Sequence, residues 1–256
     1  MTEQQQKLPT PPGYSELVPF NRDQFKQMGK REHAPAEFAK DMNSIYITAV
    51  EFFQAARHYP IVFGKDSQTG GYVPVAITGL EKDQNLFTDD EGNWMPGTYI
   101  PAYVRRWPFF LVQVPATEER GAQNIVCVDP QGLEANDKPL VDDNGEPTDN
   151  WADIERLVTE MERARIDTQE FTKQLDELGL IESFEAHASA KGGQNMRLAG
   201  LYRINEDKLN ELPEKKIKQL MKKGYLSRIY SHLISLEGFQ GLLNLRLRRQ
   251  QHMGEA

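Results

Sequence analysis

YPIVFGKDSQTGGYVPVAITGL, residues 59–80, reads as two strands and the turn that joins them. Its first half is a short apolar run with Pro60 at its start, where a missing N–H costs a ladder least. DSQTGG carries turn residues, and the second apolar run, from Tyr72, follows it. The flanks extend the pattern. SIYITAV (44–50) alternates β-branched residues with others, as a strand does. NLFTDDEGNWM (85–95) places Asp90, Glu91, Gly92 and Asn93 between two short strand halves, a hairpin signal. PFFLVQV and NIVCVDP are separated by the polar PATEERGAQ, which gives another hairpin. Of 24 aromatic residues, 13 lie between Tyr46 and Phe110, so the core of residues 44–130 is expected to be built on a sheet.

Beyond the turn-rich residues 129–150 the period changes. Ile154, Leu157, Met161, Ala164, Thr168, Phe171, Leu175 and Leu178 step by three and four, one stripe of a helix entered at Thr148 or Asp149 and stopped by Gly179. Ala164 and Thr168 weaken the middle of that stripe, so packing on the protein's own sheet is preferred to a coiled-coil dimer. LIESFEAHA and MRLAGLYRIN read as two strands around AKGGQN. Asn205 can cap a short helix, and Pro213 opens the next, which Gly224 closes. A final amphipathic helix is expected from about Leu226 to Arg249, with Ile229, Tyr230, Leu233, Ile234, Phe239, Leu242 and Leu243 on its apolar side. The expected fold is α+β, a mainly antiparallel sheet covered by several helices. Its domain plan is an extended arm over 1–40, one domain over 41–249 and a polar tail over 250–256.

Composition narrows the function classes. A net charge of −8 argues against general affinity for nucleic acid. The charge is uneven: residues 203–249 hold 11 Lys/Arg against 5 Asp/Glu. Lys215, Lys216, Lys218, Lys222 and Lys223 surround Ile217, Leu220 and Met221, the pattern of a basic amphipathic helix that can touch an anionic surface. A solvated face whose last lysines compensate the helix dipole is the simpler account. Cys127 is the only cysteine, which excludes an intrachain disulfide and places a small buried hydrophobe in a strand. With no apolar leader at the N-terminus and no apolar run long enough to span a bilayer, the expected location is the cytoplasm, the alternative being envelope-associated export by a route that reads no N-terminal signal.

Catalytic templates fail. His33, His58, His187, His232 and His252 are scattered without ligand spacing, so no metal is expected, nor any cofactor. No nucleophile elbow or phosphate loop occurs. VDDNGEP (141–147) lacks the ligands of a calcium loop and reads as a turn. One stretch still looks like a site: YIPAYVRRWPFF, residues 99–110. Pro101 fits the first turn of a short helix and Pro108 ends it. Adjacent helical residues point about 100° apart, so Arg105 and Arg106 cannot share a face. One reading makes them braces, one stacked on a ring such as Tyr103 or Trp107. The other makes one of them the grip on a carboxylate or phosphate.

ARHYPIVF, YVPVAITGL, NLFTDDEGNW, YIPAYVRRWPF and IYSHLISLEGFQGL, in this order and spacing, resemble the SapC family of bacterial proteins. GLYRINEDKLNEL is similar to that family's pattern as well. The resemblance implies a link to surface-layer or outer-membrane-related processes in Gram-negative bacteria, and it implies no catalytic residues. Family motifs fall on His58, Tyr59, Trp94, Tyr103, Arg105, Arg106 and Trp107, which are the candidate binding residues. The expectation is a non-catalytic accessory protein that binds another protein or a peptide. The alternative is an enzyme, or a component of one, modifying a peptide or envelope molecule at a pocket near His58, Arg105 and Arg106.

Overall fold

The computed structural model describes residues 10–31, 34–67, 69–89, 91–114, 121, 123–189 and 195–254. Among the described residues the strands run in order: β1 Val18–Pro19, β2 Met28–Lys30, β3 Ser44–Tyr46, β4 Ile61–Lys65, β5 Tyr72–Ile77, β6 Phe109–Val114, β7 Gln123–Val128, β8 Leu133–Ala135, β9 Ile181–Ser189 and β10 Asn195–Ile204. The α-helices are α1 Ala34–Ala39, α2 Phe52–Ala55, α3 Ala102–Arg106, α4 Asp149–Glu177, α5 Glu206–Asn210, α6 Glu214–Lys222, α7 Tyr225–Ser235 and α8 Gly238–Gly254. All named strand pairs are antiparallel, so the α+β class holds. The chain divides into two compact units: residues 1–39, 90–93 and 104–163 form the first, and residues 40–89, 94–103 and 164–256 the second.

The second unit is built on a five-stranded sheet in the order β3-β5-β4-β10-β9. The opening hairpin forms as read, with Ile61 opposite Ala76 and Lys65 opposite Tyr72. Pro60 also serves this edge, since its carbonyl accepts from Ile77 N–H. β9 and β10 pair as expected; their connecting turn lies outside the described residues. Their register shifts between Leu198 and Leu201, where Gly200 adopts φ +77°, a bulge that a side chain would strain. Phe52, Phe63, Phe171, Leu175, Leu220, Ile229 and Leu243 fill the core on this sheet. His232 is wholly buried there: its Nε2 accepts from Ile204 N–H at 3.0 Å, joining α7 to β10. Ser235 Oγ donates to the His232 carbonyl and accepts from Ile61 N–H at 2.9 Å, joining the same helix to β4. Burial holds the imidazole at a pKa of about 3, so it is neutral.

The first unit holds a three-stranded sheet, β1-β7-β6, and a ribbon, β2-β8. Its core gathers Phe25, Phe109, Val128, Leu140, Trp151 and Val158. VDDNGEP is the expected turn: Asp142 Oδ1 accepts from the N–H groups of Asn144 and Glu146, both at 2.8 Å.

Several expectations change. The strands of 44–130 do not make one sheet, since β6 and β7 pair apart from β3, β4 and β5. Local pattern marks a strand but not its partner. Residues 10–40 carry two short strands and a helix instead of a bare arm, because β1 lies along β7 and β2 along β8. Tyr14 anchors there through an O–H bond to the Phe109 carbonyl. SIYITAV stays extended only through Tyr46 as a strand, since Thr48 and Glu51 cap a 3₁₀ turn over Ala49–Glu51. The 85–95 hairpin shrinks to one bridge, Thr88 to Trp94. α4 matches its sequence reading, whereas the C-terminal helix breaks at Leu236–Glu237 into α7 and α8. Tyr230 and Ile234, expected on its apolar side, are exposed, Ile234 by 69%.

Candidate functional site

The candidate residues separate into the two units. In the second, Thr48 and Glu51 form the start. Thr-x-x-Glu is a capping box: Thr48 N–H and Oγ donate to Glu51 Oε2 at 2.7 and 2.8 Å. The other oxygen, Oε1, accepts from Tyr99 O–H at 2.9 Å and from Ala102 N–H at 2.7 Å. One buried carboxylate therefore ties the 3₁₀ turn to the YIPA segment. Ala49 N–H donates to Thr168 Oγ at 2.8 Å, which is why Thr168 sits in the otherwise apolar stripe of α4.

Tyr59 is fully buried beside this network. Its hydroxyl donates to the Tyr99 carbonyl and accepts from Trp94 Nε1 at 3.2 Å. Phe87 meets the ring edge-on at 4.5 Å, and burial pushes the phenol well above its ordinary value. Tyr103, also buried, packs edge-on against Tyr46. Tyr59 and Tyr103 are thus internal struts of the second unit, and Trp94 braces Tyr59 from a half-buried position. Glu51 was missed in the sequence reading, although the spacing T-A-V-E (48–51) is the signature that reveals it.

In the first unit, α3 ends as its prolines dictate, and Arg105 and Arg106 diverge. Arg105 is exposed, with its carbonyl accepting from Lys30 Nζ at 2.6 Å. Burial, then the Arg105 charge, brings the Lys30 ammonium down to about 8. Arg106 is half-buried with its guanidinium 4.0 Å from the centre of the Phe110 ring. Trp107 is buried and stacks on Phe38 with centroids 5.1 Å apart. Gly132 lies so close that a Cβ there would meet Pro108 Cβ at 2.4 Å.

Of the candidates, His58 and Tyr59 line an open pocket, of 410 Å³, in the second unit. Arg57 and Arg248 join it on the polar side, and Phe87, Leu242 and Leu245 make the apolar side. Burial, then the Arg57 charge, lowers the His58 pKa below its ordinary 6.5. Among the described residues no carboxylate lines this pocket, and Arg105 and Arg106 are not part of its lining. A second hollow, of 580 Å³, carries Glu182, Arg203 and Glu237, but Arg203 is already bonded to Glu182 at 2.9 Å. Among the described residues, no cluster of three His, Cys, Asp or Glu could hold a metal, and no helix is long and apolar enough to cross a membrane.

Antiparallel sheets with helices in a two-unit division define a class of α+β protein. The chain belongs to the SapC family, whose model matches residues 20–242. No curated protein and no solved structure matches it.

Proposed function

We propose that this chain is a non-catalytic accessory protein of the cytoplasm that binds another protein or a peptide, in a process related to the surface layer or the outer membrane. Membership of the SapC family carries the reading. The roles of the motif residues support it: Tyr59 and Tyr103 are buried, Trp94 packs half-buried against the core, and Arg106 and Trp107 stack on neighbouring rings. Such residues give a rigid body on which a partner can be read, and they offer no nucleophile or base. A catalytic role for His58 would require a partner to orient its ring or pass it a proton, and the pocket residues include no carboxylate for that task.

The test is affinity capture of the tagged chain from its native host after mild crosslinking, followed by mass spectrometry. Recovery of envelope or surface-layer polypeptides in amounts comparable with the bait is expected. Recovery of chaperones and ribosomal proteins alone would overturn the proposal.

A further inference from the structure

The pocket beside His58 has a charge pattern that the accessory role does not explain. Among the described residues, Arg31, Arg156, Arg197, Arg203, Arg228 and Arg246 each reach a carboxylate within 4.0 Å. The two at this pocket differ. Among the described residues, neither Arg57 nor Arg248 has an ion-pair partner, although the chain carries 38 Asp and Glu. Two uncompensated guanidiniums and an imidazole therefore border one concavity. Phe87, Leu242 and Leu245 supply hydrocarbon to the lining of the same concavity. Gly241 also lines it, and a Cβ added there would meet no atom within 4 Å, so the space above this glycine is open. A volume of 410 Å³ falls in the range of small-molecule sites, which combine an apolar wall with a few polar groups that orient the ligand.

We infer that this pocket binds an amphipathic organic anion, its carboxylate or phosphate-ester head on Arg57 and Arg248 and its hydrocarbon body on Phe87, Leu242 and Leu245. Guanidinium suits either head, because its planar fork donates two parallel N–H bonds to a pair of anionic oxygens. His58 adds a further donor at the rim. The inference stands apart from the accessory role, since capture of a partner and binding of a small anion are separate measurements.

Isothermal titration calorimetry of the full chain with octanoate, octyl phosphate and neutral octanamide tests it. One or both anions should bind saturably at one site, and the tighter of them identifies the head group. Octanamide should bind weaker by about tenfold or more, since charged hydrogen bonds to guanidinium are the strong ones. The exposed changes Arg57→Gln and Arg248→Gln should each weaken anion binding by about fivefold to tenfold. Gly241→Leu should abolish it by filling the pocket, with circular dichroism confirming that the fold is kept. Equal binding of octanamide, no binding of either anion, or wild-type affinity in folded Gly241→Leu would each overturn the inference.

Discussion

Replacing Glu51 by alanine tests whether the family motif works as a brace. Glu51 is 5% exposed, and its carboxylate accepts four hydrogen bonds, from Thr48 N–H, Thr48 Oγ, Tyr99 O–H and Ala102 N–H. In Glu51→Ala the two hydroxyls can turn to other acceptors, but the two backbone N–H groups are left without one. Each such buried donor costs about 1–3 kcal/mol, and the lost packing of the side-chain methylenes adds about 1 kcal/mol. The expected loss is therefore on the order of 4 kcal/mol. Glu51→Gln should cost less, about 1–3 kcal/mol, because its amide oxygen keeps one pair of donors and only one backbone N–H is orphaned, while its NH₂ can donate to a rotated hydroxyl. Urea unfolding is followed through Trp94, in a Trp107→Phe, Trp151→Phe background. Those two tryptophans lie in the first unit, so the remaining signal reports on the second. A loss below about 1 kcal/mol for Glu51→Ala, or a glutamine variant as damaged as the alanine one, would refute the reasoning.

Other consequences can be measured alongside. His232 has a folded pKa of about 3 against 6.5 in the open chain, so the unfolded chain binds the extra proton first as pH falls. Its neutral form is fully compatible with folding above pH 6.5, and stability declines below that by about 1.4 kcal/mol per pH unit, reaching about 3 kcal/mol by pH 4.5. His232→Gln, which keeps an acceptor for Ile204 N–H, should remove this part of the slope, and parallel stability profiles between pH 6.5 and 4.5 would rule the account out. Burial raises the Cys127 thiol to about 11, so a thiol-reactive disulfide should label it only after unfolding; rapid labelling of the native chain would contradict its place in β7. Gly132→Ala drives a Cβ against Pro108 and Trp107 and should destabilise the first unit by about 2 kcal/mol, read from the fluorescence of Trp107 and Trp151; an unchanged midpoint would show that the segment yields.

Much of this protein is legible in its sequence because the signals are local. The β4–β5 hairpin, α4 with its stop at Gly179, the cap at Asn205 and the short helix bounded by Pro101 and Pro108 all follow from period, capping chemistry and proline geometry. Gly224 ends α6 at φ +72°, as its position in the sequence implies. The divergence of Arg105 and Arg106 is likewise fixed by helical spacing alone. Family membership was readable too, from motifs in order.

Tertiary structure decided what depends on distant partners. Which strands share a sheet is set by pairings far apart in the chain, such as Tyr202 opposite Phe63 and Val18 opposite Val128. No local period encodes them. The break between α7 and α8 falls where Ser235 bonds the β4 backbone, and a helical wheel cannot foresee that contact. The same reason governs the site. His58 stands beside Arg57 in the sequence, but only folding brings Arg248, 190 positions further on, to the same hollow, where neither arginine has a carboxylate partner among the described residues. Sequence names the side chains and their local geometry; burial and counter-ions belong to the folded chain, because they depend on what the rest of the chain brings near.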